Sequence, residues 1–181
     1  MAFRYEIRLS GSGGQGLVLA GKILAEAAAI YDNKNATQSQ SYGPEARGGS
    51  SRSEVIISDE EIDYPKAVNI DLLLALTQEA CDKYWKDLKD TGILLVDTDY
   101  VSQIPSGRFK VCSFPITKTA EKAVGRSLVA NILALGIIAQ LTKCVTREAL
   151  ESAILARVPK GTEELNIKAF RAGWELSQET K

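Results

Sequence analysis

The sequence predicts an α/β fold in which a mainly parallel sheet is flanked by helices, a three-layer arrangement like the Rossmann fold. Strand patterns alternate with helical patterns along the chain, two strands are near-continuous apolar runs, and a glycine cluster follows the first strand. Near-continuous apolar runs are typical of strands buried on both faces of a parallel sheet. No linker, repeat or low-complexity tract divides the 181 residues, so we expect one domain spanning 1–181.

The first strand is predicted at residues 5–9, where apolar and polar side chains alternate. The glycine cluster follows, and the alanine-rich stretch 17–30 then predicts a helix that packs closely on the sheet. Polar residues end this helix at 31–35. Residues 36–42 fit an unusually polar second strand, and residues 43–52, with three glycines and a proline, predict a loop.

The two apolar runs, 69–76 and 92–99, predict strands in the middle of the sheet. Residues 77–90 between them fit an amphipathic helix with Thr77 as its N-cap and Glu79 in its first turn. Further strands are predicted at 53–58 and 109–117, and further helices in the stretches 118–141, 146–157 and 162–179.

Composition limits the chemistry that the chain can perform by itself. It has no histidine, the commonest general acid–base residue, and its three cysteines, Cys81, Cys112 and Cys144, lie far apart. Because zinc and iron–sulfur sites use closely spaced ligands, the sequence predicts structural thiols, no metal site and no catalytic residue on this chain.

Charge and hydropathy exclude two classes of partner. The net charge is −1 and the basic residues are scattered, which argues against a nucleic-acid surface. The longest apolar stretch, 127–142, is interrupted by Asn131 and Gly136 and predicts a buried helix rather than a membrane span. The first residues lack the apolar core of a signal peptide, so we expect a cytoplasmic protein.

The glycine cluster fits the pattern G-x-G-x-x-G, with Gly11, Gly13 and Gly16 at the fixed positions. It can bind a dinucleotide, bind another anion, or only form a tight turn. A dinucleotide site needs an acidic side chain about 20 residues further on to hold the ribose. Asp32 lies near that distance but precedes the second strand, and no carboxylate follows that strand before Glu45. The dinucleotide interpretation is therefore weakened.

A second unusual loop, YGPEARGG, follows the second strand and contains Tyr42, Glu45 and Arg47. In open parallel sheets the connections beyond the carboxyl ends of the strands line the ligand crevice, so we expect both loops at one edge. A flexible, solvated loop is the alternative, but Pro44 restricts the backbone and Tyr42 offers apolar surface for packing.

The two loops together resemble the gamma subunit of 2-oxoacid:ferredoxin oxidoreductases, a family that includes pyruvate, 2-oxoglutarate and ketoisovalerate enzymes. GSGGQGLVLAGKILAEAA, QSQSYGPEARGGSSRSEVIIS and EIDYP carry the resemblance, which extends through GILLVDTD and the helix with Asn131. The serine-containing GSGGQG and QSYGPEARGG resemble the 2-oxoglutarate branch more closely than the pyruvate branch.

The resemblance implies a subunit of a thiamine-diphosphate-dependent enzyme with alpha and beta, and in some members delta, partner subunits. The reaction is CoA-dependent oxidative decarboxylation of a 2-oxoacid to an acyl-CoA, CO2 and reduced ferredoxin. Thiamine diphosphate, Mg2+ and the iron–sulfur clusters are expected on the partners, and ferredoxin is reached through the complex. The chain alone is expected to bind none of these groups and to be inactive.

The resemblance also implies cofactor-binding or subunit-facing residues on both loops. The glycine loop offers backbone donors, and Arg47 contacts a partner subunit, meets a CoA phosphate, or pairs with Glu45 or another local acid. An independent nucleotide-binding oxidoreductase and a purely structural scaffold are the alternatives. The expected residues are Ser12, Gly13, Gly14, Gln15, Gly16, Ser41, Tyr42, Gly43, Glu45, Arg47 and Gly48.

Other polar residues have simpler interpretations. Asp97 and Asp99 end a buried strand, where a capping or turn role is favoured over a catalytic one. Asn131 lies within an apolar helix and is expected to be a hydrogen-bonded core amide or an interface contact.

Overall fold

The computed structural model describes residues 2–42 and 49–179 of the chain. The strands are β1 (Arg4–Ser12), β2 (Asn35–Tyr42), β3 (Ser50–Ser58), β4 (Ile70–Ala75), β5 (Leu88–Asp97) and β6 (Lys110–Phe114). The α-helices are α1 (Leu17–Glu26), α2 (Gln78–Tyr84), α3 (Ile116–Val124), α4 (Ala130–Thr142), α5 (Arg147–Arg157) and α6 (Glu163–Gln178). A π-helical turn, Ala27–Tyr31, extends α1, and 3-10 turns follow α2 at Trp85–Asp87 and precede α4 at Ser127–Val129.

The strands form one mixed sheet in the order β2-β3-β1-β4-β5-β6. β1, β4, β5 and β6 are parallel, which confirms the predicted α/β class, whereas β3 runs antiparallel to both of its neighbours. The short connection between β2 and β3 explains this direction, because a parallel crossover needs a dozen or more residues. Residues 50–52, predicted as loop, instead begin β3 and pair with the end of β1.

Helices cover the two faces of the sheet unequally. On one face, which we call the helical face, α1, α3, α4, α5 and α6 bury a large apolar cluster that includes Ile7, Leu9 and Phe170. On the opposite face, α2 and neighbouring loop residues bury a smaller cluster around Leu73 and Leu94. The predicted three-layer arrangement is therefore present, with most of the core on the helical face.

Helix α4 is the most deeply buried helix among the described residues. Residues 130–140 are all buried, as the apolar stretch predicted, and α4 packs closely against α6. A Cβ atom on Gly136 would overlap the carbonyl of Phe170, and one on Gly173 would overlap the carbonyl of Leu133. The two glycines therefore permit backbone-to-backbone contact between the helices. In the described part of the chain, no helix has the length and apolar character needed to cross a membrane.

Two predicted helical stretches are divided in the structure. Gly125 adopts φ +73° and ends α3, so the stretch 118–141 forms two helices rather than one. Residues 77–90 form α2 and a 3-10 turn, after which β5 already begins at Leu88. Thr77 is the N-cap of α2 as predicted, because its side-chain oxygen accepts a hydrogen bond from the Ala80 amide at 3.2 Å.

Candidate functional site

The glycine loop joins the end of β1 to the start of α1 in a tight, left-handed turn. Gly14 and Gly16 have φ values of +86° and +71°, a conformation that glycine adopts without steric cost. The Gln15 side chain folds back so that its Oε1 accepts a hydrogen bond from the Ser12 amide at 2.7 Å. A Cβ atom on Gly11 would overlap this same oxygen. The Gln15 side chain therefore bridges the loop, and it occupies space that is free because Gly11 has no side chain.

A residue of α4, far from the glycine loop in the sequence, also holds the loop in place. The Nδ2 atom of Asn131, at the start of α4, donates a hydrogen bond to the Gly16 carbonyl at 2.9 Å. The same carbonyl accepts the Ala20 amide of α1 at 3.0 Å. Asn131 is only 4% exposed and is thus the hydrogen-bonded core amide that the sequence predicted. A Cβ atom on Gly16 would overlap Nδ2, so only glycine fits there without displacing Asn131.

A cleft with a volume of about 120 Å³ lies beside this loop at the carboxyl edge of the parallel strands. It occupies the point between β1 and β4 where the order of strands reverses, which is the usual ligand position in open α/β sheets. We call it the glycine-loop cleft. Its lining residues are Gly14, Gln15, Leu76, Tyr100, Thr117, Ser127, Leu128 and Ala130.

The glycine-loop cleft is too small to hold a dinucleotide by itself. Small-molecule and cofactor pockets have volumes of roughly 300–1,000 Å³. Two large apolar side chains stand exposed at its rim, Tyr100 at 56% and Leu128 at 74%. These two side chains leave apolar surface exposed beside the polar glycine loop.

Asp97 holds the far wall of the cleft in place. It is fully buried at the end of β5, where its two carboxylate oxygens accept hydrogen bonds from the amides of Ile116, Thr117 and Asp99 and from the Thr117 hydroxyl. Burial raises the pKa of the Asp97 carboxyl, and these hydrogen bonds offset part of that rise. Asp99 accepts from the Lys118 amide at 2.8 Å. Both carboxylates therefore cap α3, as the sequence predicted.

The second loop begins at the same edge of the sheet as the glycine loop. β1 and β2 are both antiparallel to β3, so Ser12 pairs with Ser50 and Tyr42 with Ser51 at the matching ends of the strands. Ser41 is exposed near the end of β2. The predicted site residues that lie outside the described part of the chain are Gly43, Glu45, Arg47 and Gly48.

Sequence comparison gives the family of the chain. The sequence profile of the pyruvate ferredoxin/flavodoxin oxidoreductase family matches residues 6–176. The chain belongs to this family. It is 53% identical to the 2-oxoglutarate synthase subunit KorC of Methanocaldococcus jannaschii, over 97% of this chain and 95% of the relative. The resemblance to this family that the two loops suggested is therefore confirmed.

Two solved structures share the fold. The gamma subunit of a keto/oxoacid ferredoxin oxidoreductase from Geobacter sulfurreducens is 58% identical with a TM-score of 0.88, and the match covers 97% of this chain and 99% of that one. A 2-oxoglutarate:ferredoxin oxidoreductase from Magnetococcus marinus, solved with 2-oxoglutarate, coenzyme A and succinyl-CoA bound, matches with a TM-score of 0.86. At 22% identity, and with 32% of that longer chain covered, the second match shows the fold alone.

The position of Asp32 argues further against dinucleotide binding. Its carboxylate accepts hydrogen bonds from the amide and the hydroxyl of Thr146, both at 2.7 Å, at the start of α5. Because α1 runs back across the sheet from the glycine loop, Asp32 lies at the opposite edge of the sheet. It caps α5 and is too far from the loop to hold a ribose bound there.

The three cysteines of this family member are buried packing residues. Cys81, Cys112 and Cys144 are free thiols, each less than 10% exposed. Burial, with a smaller contribution from Asp82, raises the pKa of the Cys81 thiol to about 11, and burial also raises the pKa of Cys112 and Cys144. At neutral pH they are therefore protonated and weak as nucleophiles or ligands.

Arg52 falls within residues 43–52, which were predicted as a loop, but it lies in β3, within a network of charges on the face opposite the helical face. Arg8, which is 4% exposed, donates to Glu54 at 3.1 Å and also to Asp87. Arg52 pairs with Glu54 at 3.3 Å, and both guanidinium groups lie over the Tyr84 ring. The alternating charges of β1 were the only sequence signal of this buried network.

Sequence reasoning missed the far wall of the cleft. Leu76, Tyr100 and Thr117 each follow the end of a parallel strand, so the rule that placed the two glycine-rich loops at this edge also applies to them. Ser127 and Leu128 carry no comparable signal, because only the packing of α3 and α4 brings them to the cleft.

Proposed function

We propose that this chain is the gamma subunit of a 2-oxoglutarate:ferredoxin oxidoreductase, and that its glycine-loop cleft faces partner subunits and coenzyme A. The observation that carries the proposal is the 53% identity to a 2-oxoglutarate synthase subunit, which extends over nearly the whole of both chains. The complete enzyme joins 2-oxoglutarate and coenzyme A into succinyl-CoA, releases CO2, and passes the electron pair to ferredoxin.

Thiamine diphosphate with its Mg2+ needs a cofactor-sized pocket and oxygen ligands for the metal. Within residues 2–42 and 49–179, no three His, Cys, Asp or Glu side chains come together as metal ligands. The volume of the cleft, about 120 Å³, is also below that of cofactor pockets. On the resemblance to the family, we assign thiamine diphosphate, Mg2+ and the iron–sulfur clusters to the alpha and beta subunits, with a delta subunit where one is present. Ferredoxin docks on that complex, in the cytoplasm.

The glycine loop suits a contact with one end of an extended, anionic molecule. Coenzyme A carries phosphate groups, and backbone amides at a helix N-terminus attract phosphate through their partial positive charge. Gly13, Gly14 and Gly16 have no Cβ between their amides and the cleft. Ser12 adds only a small side chain, and its amide is bound to Gln15. Gln15 shapes the loop by closing it against Ser12. The loop thus contributes oriented donors, while partner chains supply the rest of the pocket.

The second loop is proposed to complete the same face. Ser41 and Tyr42 precede it at the carboxyl edge of the sheet, and Tyr and Arg are favoured anchors in protein interfaces. We assign Gly43, Glu45, Arg47 and Gly48 to this face, with the Arg47 guanidinium directed to a phosphate of coenzyme A or to a partner carboxylate.

Co-purification from native cells tests the subunit assignment. A tagged copy is expected to bring down subunits with thiamine-binding and ferredoxin-like sequences, and the complex is expected to reduce ferredoxin with 2-oxoglutarate and coenzyme A. Recovery of the chain alone as a monomer, or a complex that prefers pyruvate, would contradict the proposal.

A thermal-shift measurement tests the competing nucleotide-binding function. The isolated chain is expected to keep the same Tm with NAD, NADP or FAD, since the cleft is small and Asp32 lies at the wrong edge. Stabilisation by several degrees with NAD would contradict the subunit interpretation of the glycine loop.

Substitution of Gln15 in the assembled enzyme separates the proposed contact from a pure scaffold role. Gln15→Ala removes the acceptor of the Ser12 amide and is expected to raise the KM for coenzyme A about fivefold, the value of one hydrogen bond. Unchanged kinetics in an intact complex would favour the scaffold.

A further inference from the structure

We propose that Asn131 is the positioning residue of the glycine-loop cleft, because it fixes the glycine loop against the start of α4. The inference rests on the function proposed above for the loop. Its basis is the 2.9 Å hydrogen bond from Asn131 Nδ2 to the carbonyl of Gly16, which joins residues 115 positions apart in the sequence.

Within the described residues, no other side chain from outside the loop forms a hydrogen bond with residues 13–16. The contact between Gln15 and the Ser12 amide is local, so it sets the shape of the loop without fixing its place in the molecule. The ladder between β1 and β3 ends at Ser12, just before the turn. Among the side-chain hydrogen bonds of the described residues, the one from Asn131 therefore ties the turn to the helical face, beside the apolar packing of Leu17.

Asn131 connects the two sides of the cleft. Gly14 and Gln15 form one side, while Leu128 and Ala130, just before Asn131 on the chain, belong to the other. The bond to Gly16 thus sets the distance between the two sides. Its loss leaves the Gly16 carbonyl with the Ala20 bond alone, and the loop is then free to move away from α4.

Helix α4 is a suitable fixed support for this bond. Residues 130–140 are buried throughout, and the close approach of Gly136 and Gly173 to the backbone of the facing helix leaves little room for α4 to shift. A carbonyl oxygen can accept only from a donor, so the amide nitrogen of Asn131 must face Gly16. An aspartate at the same position has no such donor and presents an oxygen to the carbonyl.

The test compares Asn131→Asp with Asn166→Asp in the full chain and in the assembled complex. Asn166 is a matched control because it is also buried, at 6% exposure, and its Nδ2 donates to the Thr162 carbonyl at 2.9 Å on α6, outside the cleft lining. Asn131→Leu is a second variant, which removes the donor without adding charge. It allows the same measurements if Asn131→Asp fails to fold.

Amide hydrogen exchange is measured first, on the first turn of α1, where the Ala20 amide is bonded to Gly16. We expect exchange there to become about tenfold faster in Asn131→Asp and Asn131→Leu and to remain unchanged in Asn166→Asp. Unchanged exchange in both Asn131 variants overturns the inference, whatever the kinetics show.

Kinetics of the assembled enzyme are measured second. The Asn131 variants are expected to raise the KM for coenzyme A about fivefold while kcat changes by less than about twofold, the pattern of lost ground-state binding. An equal rise in KM in Asn166→Asp would mean a general structural effect and would overturn the inference. Faster exchange without any change in KM would support the link between Asn131 and the loop and would instead contradict the function proposed for the loop.

Discussion

Ile7 and Arg8 are neighbours on β1, yet they lie on opposite faces of the sheet, and the two faces are stabilised in different ways. Ile7 is fully buried in the apolar cluster of the helical face. Arg8 is nearly as buried, at 4%, but it contacts Glu54, Asp87 and the Tyr84 ring. Apolar packing is non-directional and is not screened by salt, whereas charged contacts depend on exact partners and are screened.

The difference has a consequence for the site. The glycine loop is fixed from the helical face through Asn131, where α4 is rigidly packed. The opposite face carries charges that are themselves only partly covered, since Asp87 and Arg52 are both accessible. The glycine loop at the carboxyl edge is therefore held from the face that has the larger core.

The largest expected loss of stability comes from a substitution in the apolar cluster of the helical face. Ile7→Ala is expected to lower the free energy of unfolding by about 3 kcal/mol, because it leaves a cavity in a closely packed cluster. Urea unfolding at low and high salt measures this loss, which is expected to be the same in both. A loss that varies strongly with salt would contradict the description of this face as apolar packing.

The next largest expected loss of stability comes from a substitution in the charge network of the opposite face. Arg8→Ala is expected to cost about 2 kcal/mol, less than the usual value for a broken buried ion pair, because Glu54 retains Arg52 and Asp87 is half exposed. The same urea measurement is expected to show a smaller loss in high salt. A cost equal to that of Ile7→Ala at every salt concentration would remove the distinction between the faces.

Two glycines of the loop extend the comparison to the carboxyl edge. Gly14→Ala and Gly16→Ala both place alanine at positive φ, which costs about 1–2 kcal/mol. Only a Cβ on Gly16 meets Asn131, while none of the surrounding atoms lies within 4 Å of a Cβ on Gly14. Gly16→Ala is therefore expected to be the more destabilising in thermal unfolding. Equal losses of stability in the two variants would mean that contact with Asn131 does not constrain position 16.

The smallest effect concerns a charge on the outer side of the helical layer. Hydrogen bonds from Arg171 and Arg147 lower the pKa of Glu151 below its usual value. A carboxyl group with a lowered pKa in the folded state stabilises the protein above its unfolded pKa and loses that contribution as the pH falls through the folded pKa. Glu151→Gln is therefore expected to cost below about 1 kcal/mol at pH 7.

The pH dependence supplies the check on Glu151→Gln. Stability curves of the wild type and the variant are expected to converge as the pH falls below the normal range for glutamate, about 4. Curves that stay apart in acid would show that the contacts of Glu151 with Arg171 and Arg147 are not what lowers its pKa.

Local patterns sufficed for most of the fold. Strand and helix periodicities located all six described strands within a few residues, because the alternation of side chains acts over short distances. The short β2–β3 connection also contained the information that β3 is antiparallel, but the prediction of a mainly parallel sheet did not use it. The two glycine-rich loops were found because glycine and proline act on the backbone where they stand.

The sequence by itself therefore determined the α/β class, the positions of the strands, the glycine turn and the resemblance to the oxidoreductase family. Tertiary structure alone decided that Asn131 meets Gly16, that Asp32 caps α5 at the far edge, and that Arg8 is buried among charges. These contacts join residues dozens to more than one hundred positions apart. They depend on how whole helices and strands pack, which no short stretch of sequence specifies.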